Sequence, residues 1–503
     1  MIRYLNFFYK NKQVTEQIIF IMILYFISRL SNKKEGNIMS SQEINRVPLM
    51  IVLISGAFVA ILNQTLLATA LPHIMADLDL DANTAQWLQS IFMLVNGIMI
   101  PITAFLIERF TTRRLFMTAV GLFAAGTLVC GLAPNFTILL SGRILQASGA
   151  GIILPLMQTI LFLVFPIEKR GSAMGMFGLV IAFAPAIGPT LSGWLVEQFP
   201  WRSLFFVVLP IAIADLIVAY FILKNVTKQT FPKVDPISII LSTFGFGGIL
   251  YGFSAAGSES FLSSEVLLSL GVGAVTLTLF INRQMKLEKP ILEFRIFKYT
   301  TFTLTTALGM IVFISMIGGA VILPIFMQEM LGFTAFESGL MLLPGALLMG
   351  VMNPITGRLF DKFGARWLAV TGLGLLVIST FMFTNLDPAT TFLYLALVNC
   401  VRMFGISMVM MPVTTAGLNQ LPQHLMPHGT AMNNTMRQVS GAVGTAMLVS
   451  VMTSQAIPTE GVTGIIHGVN VSFIVAGIFS VVGFIMAFFI KKSRPEENEY
   501  STA

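Results

Sequence analysis

The apolar residues of this chain form long runs, which are separated by short stretches that contain charged residues, glycine or proline. A helix needs about 20 consecutive apolar residues to cross the hydrocarbon core of a bilayer. From Pro48 onward, fourteen runs of that length each predict a transmembrane helix. Their approximate limits are 48–72, 86–107, 114–133, 137–160, 171–195, 202–223, 236–256, 265–282, 301–327, 337–357, 367–385, 391–414, 430–454 and 470–490. The pattern therefore predicts an all-α membrane protein whose two termini lie on one side, because the number of crossings is even.

Composition agrees with this prediction and excludes a soluble protein. Of the 503 residues, 55% are hydrophobic and 11% are charged, whereas a soluble domain carries about 25% charged residues. The net charge of +7 could indicate nucleic-acid binding, but the basic residues lie between apolar runs instead of forming one face. We therefore expect a lipid bilayer around the chain and no nucleic-acid partner. The two cysteines and four histidines are scattered, so we expect no disulfide, no metal site and no cofactor.

The basic residues occupy alternate loops, and this predicts the orientation in the membrane. Short cytoplasmic loops retain lysine and arginine. One set of predicted loops and the C-terminal tail carry most of these bases: Arg109, Arg113, Arg114, Lys169, Arg170, Lys224, Lys228, Lys233, Arg283, Lys286, Lys289, Arg295, Lys298, Arg358, Lys362, Arg366, Lys491, Lys492 and Arg494. The other set carries only Arg202, together with acids such as Asp77 and Asp387. Both termini are therefore predicted to be cytoplasmic, in a bacterial plasma membrane.

The first 38 residues need a separate interpretation. The apolar run Ile18–Ile27 is too short to span a membrane, and no small-residue cleavage site follows it. The codons for Lys33–Gly36 could contain a ribosome-binding site just upstream of Met39. On this hypothesis, residues 1–38 are an untranslated leader and translation starts at Met39; the alternative is an interfacial helix.

Short sequences from the first part of the chain recur in the second part at a nearly constant offset. Pro101–Thr103 recurs as Pro354–Thr356, 253 residues later, and Gly171–Met174 resembles Gly429–Met432, 258 residues later. Helices 1–6 are therefore predicted to repeat as helices 9–14 in the same orientation, a 6+2+6 arrangement whose halves can rock about a central cavity. The predicted regions are a cytoplasmic N-terminal segment (1–47), a six-helix half (48–223), a linker with two inserted helices (224–300), a second six-helix half (301–490) and a cytoplasmic tail (491–503).

The loop between predicted helices 2 and 3 contains a motif that has a second copy. It reads AFLIERFTTRR and has an acid at Glu108, which Asp361 repeats in the second half. Bases follow both acids: Arg109, Arg113, Lys362 and Arg366. The motif resembles the G-x-L-a-D-R-x-G-r-[K/R] signature of the major facilitator superfamily. Over residues 48–490 the chain resembles the fourteen-helix drug:proton antiporters of this superfamily, the EmrB/QacA and lincomycin-resistance types. The resemblance implies a cytoplasmic latch that holds one access state; the alternative is that the bases only anchor the loops.

Helix 5 carries the motif that is most specific to antiporters. The sequence AFAPAIGPTLSGW resembles the family's G-P-x-x-G-G pattern: Gly188, Pro189 and Gly193 match it, Ser192 stands in place of a glycine, and Pro185 lies just before the motif. The prolines bend the helix, and the small residues permit close contact with a neighbouring helix. A bent, tightly packed helix can form a seal that hinges without leaking. The alternative is that these residues only allow ordinary close packing.

Helix 4 reads SGRILQASGAG, which is similar to the family's R-x-x-Q-G-x-G pattern. It places Arg143 inside the membrane, where an arginine costs about 2.5 to 3.5 kcal/mol and needs a polar partner. The resemblance links Arg143 to proton transfer; the alternatives are a structural hydrogen bond to carbonyls or snorkelling. Gln146 of the same motif is a candidate for the substrate cavity.

Helix 1 departs from the family at the position where an aspartate is usual. The chain has Asn63 there, followed by Gln64 and Thr65. These side chains can hydrogen-bond a substrate, but amides do not titrate. Proton coupling therefore needs another carboxylate. The first candidate is Asp215 in helix 6, for which the alternative is a structural acid. The second candidate is Glu329 at the outer end of helix 9, for which the alternative is an acid of an external loop.

Two further arginines lie within predicted helices, Arg402 in helix 12 and Arg437 in helix 13. Arg402 could be a counterpart of Arg143, although its offset of 259 does not fit the repeat closely, and Arg437 could snorkel to the surface. Met432 and Met436 lie nearby, and flexible thioethers suit a cavity for varied apolar ligands. Plain packing is the alternative for these methionines.

These observations predict a monomeric secondary exporter, not an enzyme, that exchanges protons for an amphipathic drug-like compound by alternating access. The chain has no G-x-x-x-x-G-K-[ST] loop with which to use ATP. The alternative is an exporter of the same fold that moves a metabolite, a peptide or a lipid precursor. A membrane transferase is disfavoured, because it would need convergent histidines or carboxylates near an interface, and so is a receptor of transporter ancestry.

Overall fold

A computed structural model of the chain describes residues 46–256 and 262–491. The predictions for residues 1–38 and for most of the tail lie outside the described residues. Within them, fourteen long helices follow one another: α1 (Arg46–Leu78), α2 (Ala82–Arg109), α3 (Thr112–Gly131), α4 (Phe136–Val164), α5 (Arg170–Gln198), α6 (Ser203–Ile222), α7 (Pro236–Ala256), α8 (Ser264–Lys286), α9 (Thr300–Ile325), α10 (Ala335–Phe363), α11 (Ala365–Met382), α12 (Phe392–Leu418), α13 (Met426–Ser454) and α14 (Gly461–Ala487). A π-helical turn, Phe326–Met330, continues α9.

In this described part, thirteen of the fourteen helices are long and apolar enough to cross a membrane. The exception is α13, which has 29 residues but carries polar side chains along its first half. Those side chains, including Asn433, Asn434 and Arg437, are buried, because this part of α13 faces other helices instead of lipid. The prediction of an all-α, multi-pass membrane protein is confirmed.

The packing pattern of the first six helices recurs in the last six. In the first half, α1 packs against α4, α5 and α6, α3 packs against α4 and α6, and α2 packs against α4. In the second half, α9 packs against α12, α13 and α14, α11 packs against α12 and α14, and α10 packs against α12. A shift of eight helices superposes one set of partners on the other. The chain therefore has two parallel six-helix repeats, with α7 and α8 inserted between them.

The two halves meet at two interfaces, which the repeat relates to each other. One is formed by α5 and α10, and the other by α13 and α2. At the first, the helix backbones lie in contact, since a Cβ atom at Gly175 would lie 2.6 Å from the carbonyl oxygen of Asn353. At the second, the inserted helix α7 packs against both α2 and α13. Across the halves, α12 also packs against α5 and α13 against α4, and α7 adds its contacts to the second interface.

The turn between α10 and α11 shows why the motif keeps a glycine there. Gly364 is the single residue between the two helices, and its φ of 80° lies in the left-handed region that favours glycine. In the first half, Thr111 stands at the equivalent position with an ordinary φ of −64°, and its side chain accepts a hydrogen bond from the Arg114 N–H as the N-cap of α3. A longer connection thus removes the need for glycine.

Candidate functional site

The loops 110–111, 165–169, 223–235, 287–299 and 419–425, together with Gly364, lie at one end of the bundle, which we call the inner end. It is the end predicted to face the cytoplasm. The two acids of the repeated motif lie here, and each contacts the opposite half of the protein.

Asp361, at the end of α10, caps the first turn of α5. Its Oδ1 accepts the backbone N–H of Gly171 at 2.8 Å, and its Oδ2 accepts the N–H of Ser172 at 2.9 Å and the Ser172 hydroxyl. The N-terminus of a helix presents free N–H groups and a positive dipole end, so a carboxylate is stabilised there. A Cβ at Gly171 would lie 2.5 Å from the carbonyl oxygen of Gly357, so only glycine permits this approach. We call this contact the Asp361 closure.

Glu108, at the end of α2, reaches the first turn of α13 in the same way, but through a side chain. Its Oε1 lies 3.0 Å from Nε2 of His428. The other ring nitrogen, Nδ1, accepts the backbone N–H of Glu293 at 3.2 Å, so the neutral ring carries its proton on Nε2 and donates it to Glu108. We call this contact the Glu108 closure. Sequence reasoning missed His428, although the repeat places it directly before Gly429, as Arg170 stands directly before Gly171.

The linker segments that flank the inserted helices are attached to the Glu108 closure. The backbone N–H of Thr230 donates to the carbonyl oxygen of Glu108 at 3.0 Å, and Nη1 of Arg109 donates to the carbonyl oxygen of Pro232 at 2.8 Å. Asp235 follows and forms an ion pair with Arg283 at 2.8 Å. Burial raises the pKa of the Asp235 carboxyl, but the hydrogen bonds from Arg283 and Ser238 outweigh it and lower that pKa overall.

The structure places the other bases of the repeated motif against aromatic rings. Arg113 lies 4.4 Å from the ring centre of Tyr220, and Lys362 lies 5.2 Å from that of Phe363. Arg366 lies 5.9 Å from the ring of Trp367. The two acids of the motif therefore contact the opposite half, whereas these bases contact aromatic side chains of their own half.

Further polar contacts connect the halves near the inner end. Arg170 donates to Oδ1 of Asn419 at 2.9 Å, and Asn353 donates to the carbonyl oxygen of Gly178 at 2.8 Å. Asn434 donates to Oε1 of Gln158 at 2.7 Å. Asn434 lies eight residues from the start of α13, which is about 12 Å along the helix. The contacts between the halves therefore extend well into the inner half of the bundle.

The helix 5 motif packs against α1 within the first half. A Cβ at Gly188 would overlap the side chain of Thr65, whose hydroxyl lies 3.5 Å from the carbonyl oxygen of Ala184. Gly193, in contrast, has no atom within 4 Å of the position of a Cβ. Pro185 and Pro189 lie inside the continuous helix α5. The predicted close contact is therefore made at Gly188 and not at Gly193.

In the first half, Arg143 belongs to a buried polar network. Its Nη1 donates to Oε1 of Gln146 at 3.0 Å, and its Nε donates to the carbonyl oxygen of Leu88 at 3.1 Å. Gln146 donates onward to Thr127 at 2.8 Å and to Asn63 at 3.4 Å. Arg143 is 0% exposed, and its Nη2 has no hydrogen-bond partner. The partners of Arg143 are therefore an amide oxygen and a backbone carbonyl oxygen. Gln64, next to Asn63 on α1, is half-buried.

In the second half, Arg402 lies against α9. Its Nη2 donates to the carbonyl oxygen of Ser315 and to the Ser315 hydroxyl oxygen, the latter at 3.1 Å. The side chain occupies the place that a Cβ at Gly319 would fill. Asn399, one turn before Arg402, is 0% exposed, and neither of its amide atoms has a hydrogen-bond partner.

The register of α12 against α4 shows what Arg402 corresponds to. The N-caps Asn135 and Thr391 are 256 residues apart, and so are Gly149 and Gly405, each of which touches the backbone of the preceding helix. On α1 and α9, Leu71-Pro72 recurs as Leu323-Pro324 at an offset of 252. The equivalent positions are Arg143 and Asn399, Gln146 and Arg402, and Asn63 and Ser315. Arg402 is therefore the counterpart of Gln146 and not of Arg143.

Arg437 and its neighbouring methionines lie at the boundary of α13 with α9 and α12. Nη2 of Arg437 lies 3.7 Å from Sδ of Met410, and the guanidinium lies 5.0 Å from the ring centre of Phe313. The side chain is buried, which disfavours snorkelling. Met432 is buried and Met436 is half-buried.

The two candidate proton carriers lie in different surroundings. Asp215 is 5% exposed and faces α1, where Ser55 donates to its Oδ1 while its Oδ2 has no hydrogen-bond partner. Glu329 is exposed in the π-helical turn after α9. In the described ranges, no cluster of three or more histidine, cysteine, aspartate or glutamate side chains could hold a metal ion.

Comparison with known proteins gives a consistent result. A family model described as Major Facilitator Superfamily matches residues 53–445. The chain is 57% identical to the uncharacterized MFS-type transporter YcnB of Bacillus subtilis (strain 168), over 90% of this chain and 97% of that protein. It is 42% identical to the lincomycin resistance protein LmrB of Listeria monocytogenes, over 90% of this chain and 98% of that protein. The solved structure of the human organic anion transporter MFSD10 superposes with a TM-score of 0.64 at 14% identity, over 88% of this chain and 100% of that chain; this likeness shows the fold alone.

Proposed function

The chain belongs to the major facilitator superfamily, and from this premise we propose that it is a proton-coupled exporter of amphipathic drugs across the bacterial plasma membrane. The resemblance to the drug:proton antiporters is confirmed by relatives that are named drug-resistance or multidrug export proteins. Such a protein works as a monomer, and its two halves expose a central site first to one side of the membrane and then to the other.

The observation that carries the proposal is the pair of matched closures at the inner end. Asp361 and Glu108 occupy equivalent positions in the two repeats, and each contacts the first turn of a helix in the opposite half. Contacts at these two places hold the inner ends of the halves together. We assign this arrangement to a state closed to the cytoplasm, and uptake of a substrate from inside then requires both closures to break.

Substrate recognition is assigned to the polar and thioether side chains between the helices. Asn63, Gln64, Thr65 and Gln146 supply amide and hydroxyl groups in the first half, and Arg402, Met432 and Met436 supply a cation and flexible apolar surface in the second. Flexible methionines adapt to ligands of different shape. The name of the lincomycin-resistance relative supports a drug as substrate, and a metabolite, peptide or lipid precursor stays the alternative.

Proton coupling is assigned first to Asp215. Asn63 cannot titrate, so it cannot act where the family usually has an aspartate. Asp215 is a buried carboxyl within a helix that packs against α1 and α3, and its Oδ2 is free to receive a proton. Loss of its charge removes the desolvation cost of packing α6 against α1. Arg143, which is cationic and has a free Nη2, is assigned to stabilise the state in which the proton has left, and Glu329 is the second choice of carrier.

The test uses the full chain in proteoliposomes with ethidium as the probe. We expect ethidium to move against its gradient only when a pH gradient of opposite direction is imposed, and to stop when nigericin removes that gradient. Asp215→Asn is expected to abolish the dependence on the pH gradient, whereas Glu329→Gln is the matched control and is expected to keep it. Equal transport with and without the gradient would contradict proton coupling, and coupling that survives in Asp215→Asn would remove this residue from the mechanism.

A further inference from the structure

Three arginines lie inside the bundle, and the acid in the membrane does not pair with them. Arg143, Arg402 and Arg437 are all buried. The side-chain partner of the intramembrane acid, Asp215, is Ser55 on α1. An arginine side chain stays charged in a protein, and a buried charge without a counter-charge costs several kcal/mol. The interior of the second half, which holds Arg402 and Arg437, is therefore strongly positive.

Arg402 is the least satisfied of the three. Only its Nη2 is hydrogen-bonded, to the two oxygens of Ser315, whereas its Nε and Nη1 have no partner. Arg143, in comparison, has two of its three nitrogens bonded to Gln146 and Leu88. Nε and Nη1 lie on different sides of the planar guanidinium, so each unpaired nitrogen offers a separate, charge-assisted N–H donor to an anion.

The neighbouring groups complete a set of donors. Asn399 lies one turn before Arg402 on α12, and its amide is fully buried with no partner for either atom. An unpaired buried amide costs about 1 to 3 kcal/mol, so the native arrangement leaves two adjacent polar side chains unsatisfied at one place. The equivalent place in the first half has fewer unpaired atoms, because Gln146 there bonds Arg143, Thr127 and Asn63. Nη2 of Arg143 and Nδ2 of Asn63 are unpaired there, compared with four side-chain atoms of Arg402 and Asn399.

We propose that Arg402, together with Asn399, forms a binding site for a carboxylate of the transported compound, so that amphipathic organic anions and zwitterions bind more tightly than otherwise similar cations. This inference rests on the proposed exporter function and makes it more specific. A carboxylate accepts hydrogen bonds from an unpaired guanidinium nitrogen of Arg402 and from Nδ2 of Asn399, and it neutralises the charge.

The test measures binding of two probes that differ only in this group, rhodamine B and its carboxylate ester, to the purified full chain in nanodiscs. Fluorescence polarisation is expected to give at least tenfold tighter binding of the free carboxylate. Arg402→Gln, which keeps donors but removes the charge, is expected to bring the two probes to equal affinity, whereas the matched control Arg437→Gln, which removes another buried charge of the same half, keeps the preference. Asn399→Asp, which supplies a carboxylate next to Arg402, is also expected to abolish the preference and serves if Arg402→Gln fails to fold.

Several outcomes overturn the proposal. They are equal affinity for both probes in the unmodified chain, an unchanged preference in both Arg402→Gln and Asn399→Asp, and full displacement of rhodamine B by chloride at the concentration of ordinary buffers, which would make this an inorganic-anion site. The exporter function is tested separately in proteoliposomes. Ethidium export without a carboxylate preference would contradict this site alone, and a carboxylate preference without transport of either probe would contradict the exporter alone.

Discussion

The two closures at the inner end occupy equivalent places in the repeat, yet they are made of different groups. At α5 and α10, the donors to Asp361 are mainly backbone N–H groups. A side-chain substitution does not remove such a donor, and its protonation does not change with pH. At α2 and α13, the donor is the imidazole of His428, whose position depends on a second hydrogen bond from the linker at Glu293. The Asp361 closure is therefore formed by α5 and α10 alone, whereas the Glu108 closure also depends on the linker segments that flank α7 and α8.

This difference explains where the inserted helices act. Of the pair, α7 packs against α2 and α13, and the linker segments that flank the pair form hydrogen bonds with Glu108 and His428. The α5 and α10 interface is formed without them, through direct backbone contact at Gly171, Gly175 and Gly357. We therefore expect substitutions at the Asp361 closure to have larger effects than those at the Glu108 closure.

One assay ranks these effects. A cysteine is placed at Asn434, Cys130 and Cys400 are changed to serine, and a membrane-impermeant maleimide is added to inside-out vesicles. The labelling rate of this cysteine reports how often the inner end opens.

The largest effect is expected for Asp361→Ala. It removes a charged acceptor from the helix N-terminus, and hydrogen bonds to charged groups contribute about 1.5 to 3 kcal/mol. A loss of about 2 kcal/mol shifts the equilibrium towards the inward-open state about thirtyfold, so labelling at Asn434 should accelerate by about that factor. An unchanged rate would show that Asp361 does not hold the inner end closed.

Gly171→Ala is expected to act in the same direction and somewhat less. The added Cβ would lie 2.5 Å from the carbonyl oxygen of Gly357, and overpacking costs about 1 to 3 kcal/mol. Labelling should accelerate about tenfold. Gly193→Ala is the matched control, because nothing lies within 4 Å of its Cβ position; if both alanines behave alike, the close approach at Gly171 is not what keeps the halves together.

His428→Ala is expected to have a smaller effect. It removes a single hydrogen bond from a neutral donor, which contributes about 1 kcal/mol, and the linker contacts of Glu108 and Arg109 stay in place. Labelling should accelerate about fivefold, and His428→Gln, which keeps an N–H donor, should restore most of the closure. A larger effect than that of Asp361→Ala would reverse the ranking of the two interfaces.

The smallest effect on access is expected for Asp77→Asn at the outer end. Asp77 accepts hydrogen bonds from Arg202 at 2.8 Å and from Trp201 at 3.0 Å within the first half, and these bonds hold the pKa of its carboxyl below the usual value. Its contribution to stability is therefore present above the ordinary aspartate pKa and is lost as the pH falls through the lowered value. Thermal melting should show a slightly weaker acid dependence in the variant, with the labelling rate at Asn434 unchanged; an altered labelling rate would connect the outer end to the closures.

Most of the fold could be predicted from the sequence, because crossing a membrane imposes a local requirement on each segment. The lengths of the apolar runs predicted all fourteen helices. They include α13, although its polar first half makes this helix less hydropathic than the other thirteen. The constant offset of short motifs gave the repeat. The alternation of basic loops gave an orientation that stays a prediction.

The candidate site could be predicted only in part, because partners across the halves depend on packing. Glu108 and Asp361 were identified, but His428 was not, since a histidine in the first turn of a helix has many roles. Arg402 was compared with Arg143 because both are arginines in equivalent helices. The segment between glycine and proline is one residue longer in α12 (Gly405 to Pro412) than in α4 (Gly149 to Pro155), and this hid the register that aligns Arg402 with Gln146. The unpaired amide of Asn399 has no signal in the sequence.

The central claim is that the two closures break together when the protein opens inward. Spin labels at Lys169 and Lys362 report on the Asp361 closure, and labels at Lys228, in the linker segment next to Glu108, and His424 report on the other. Electron–electron double resonance on the full chain in nanodiscs should show both distances increase together in Asp361→Ala relative to the unmodified chain. An increase at the Asp361 closure alone, or no increase at either, would contradict the account.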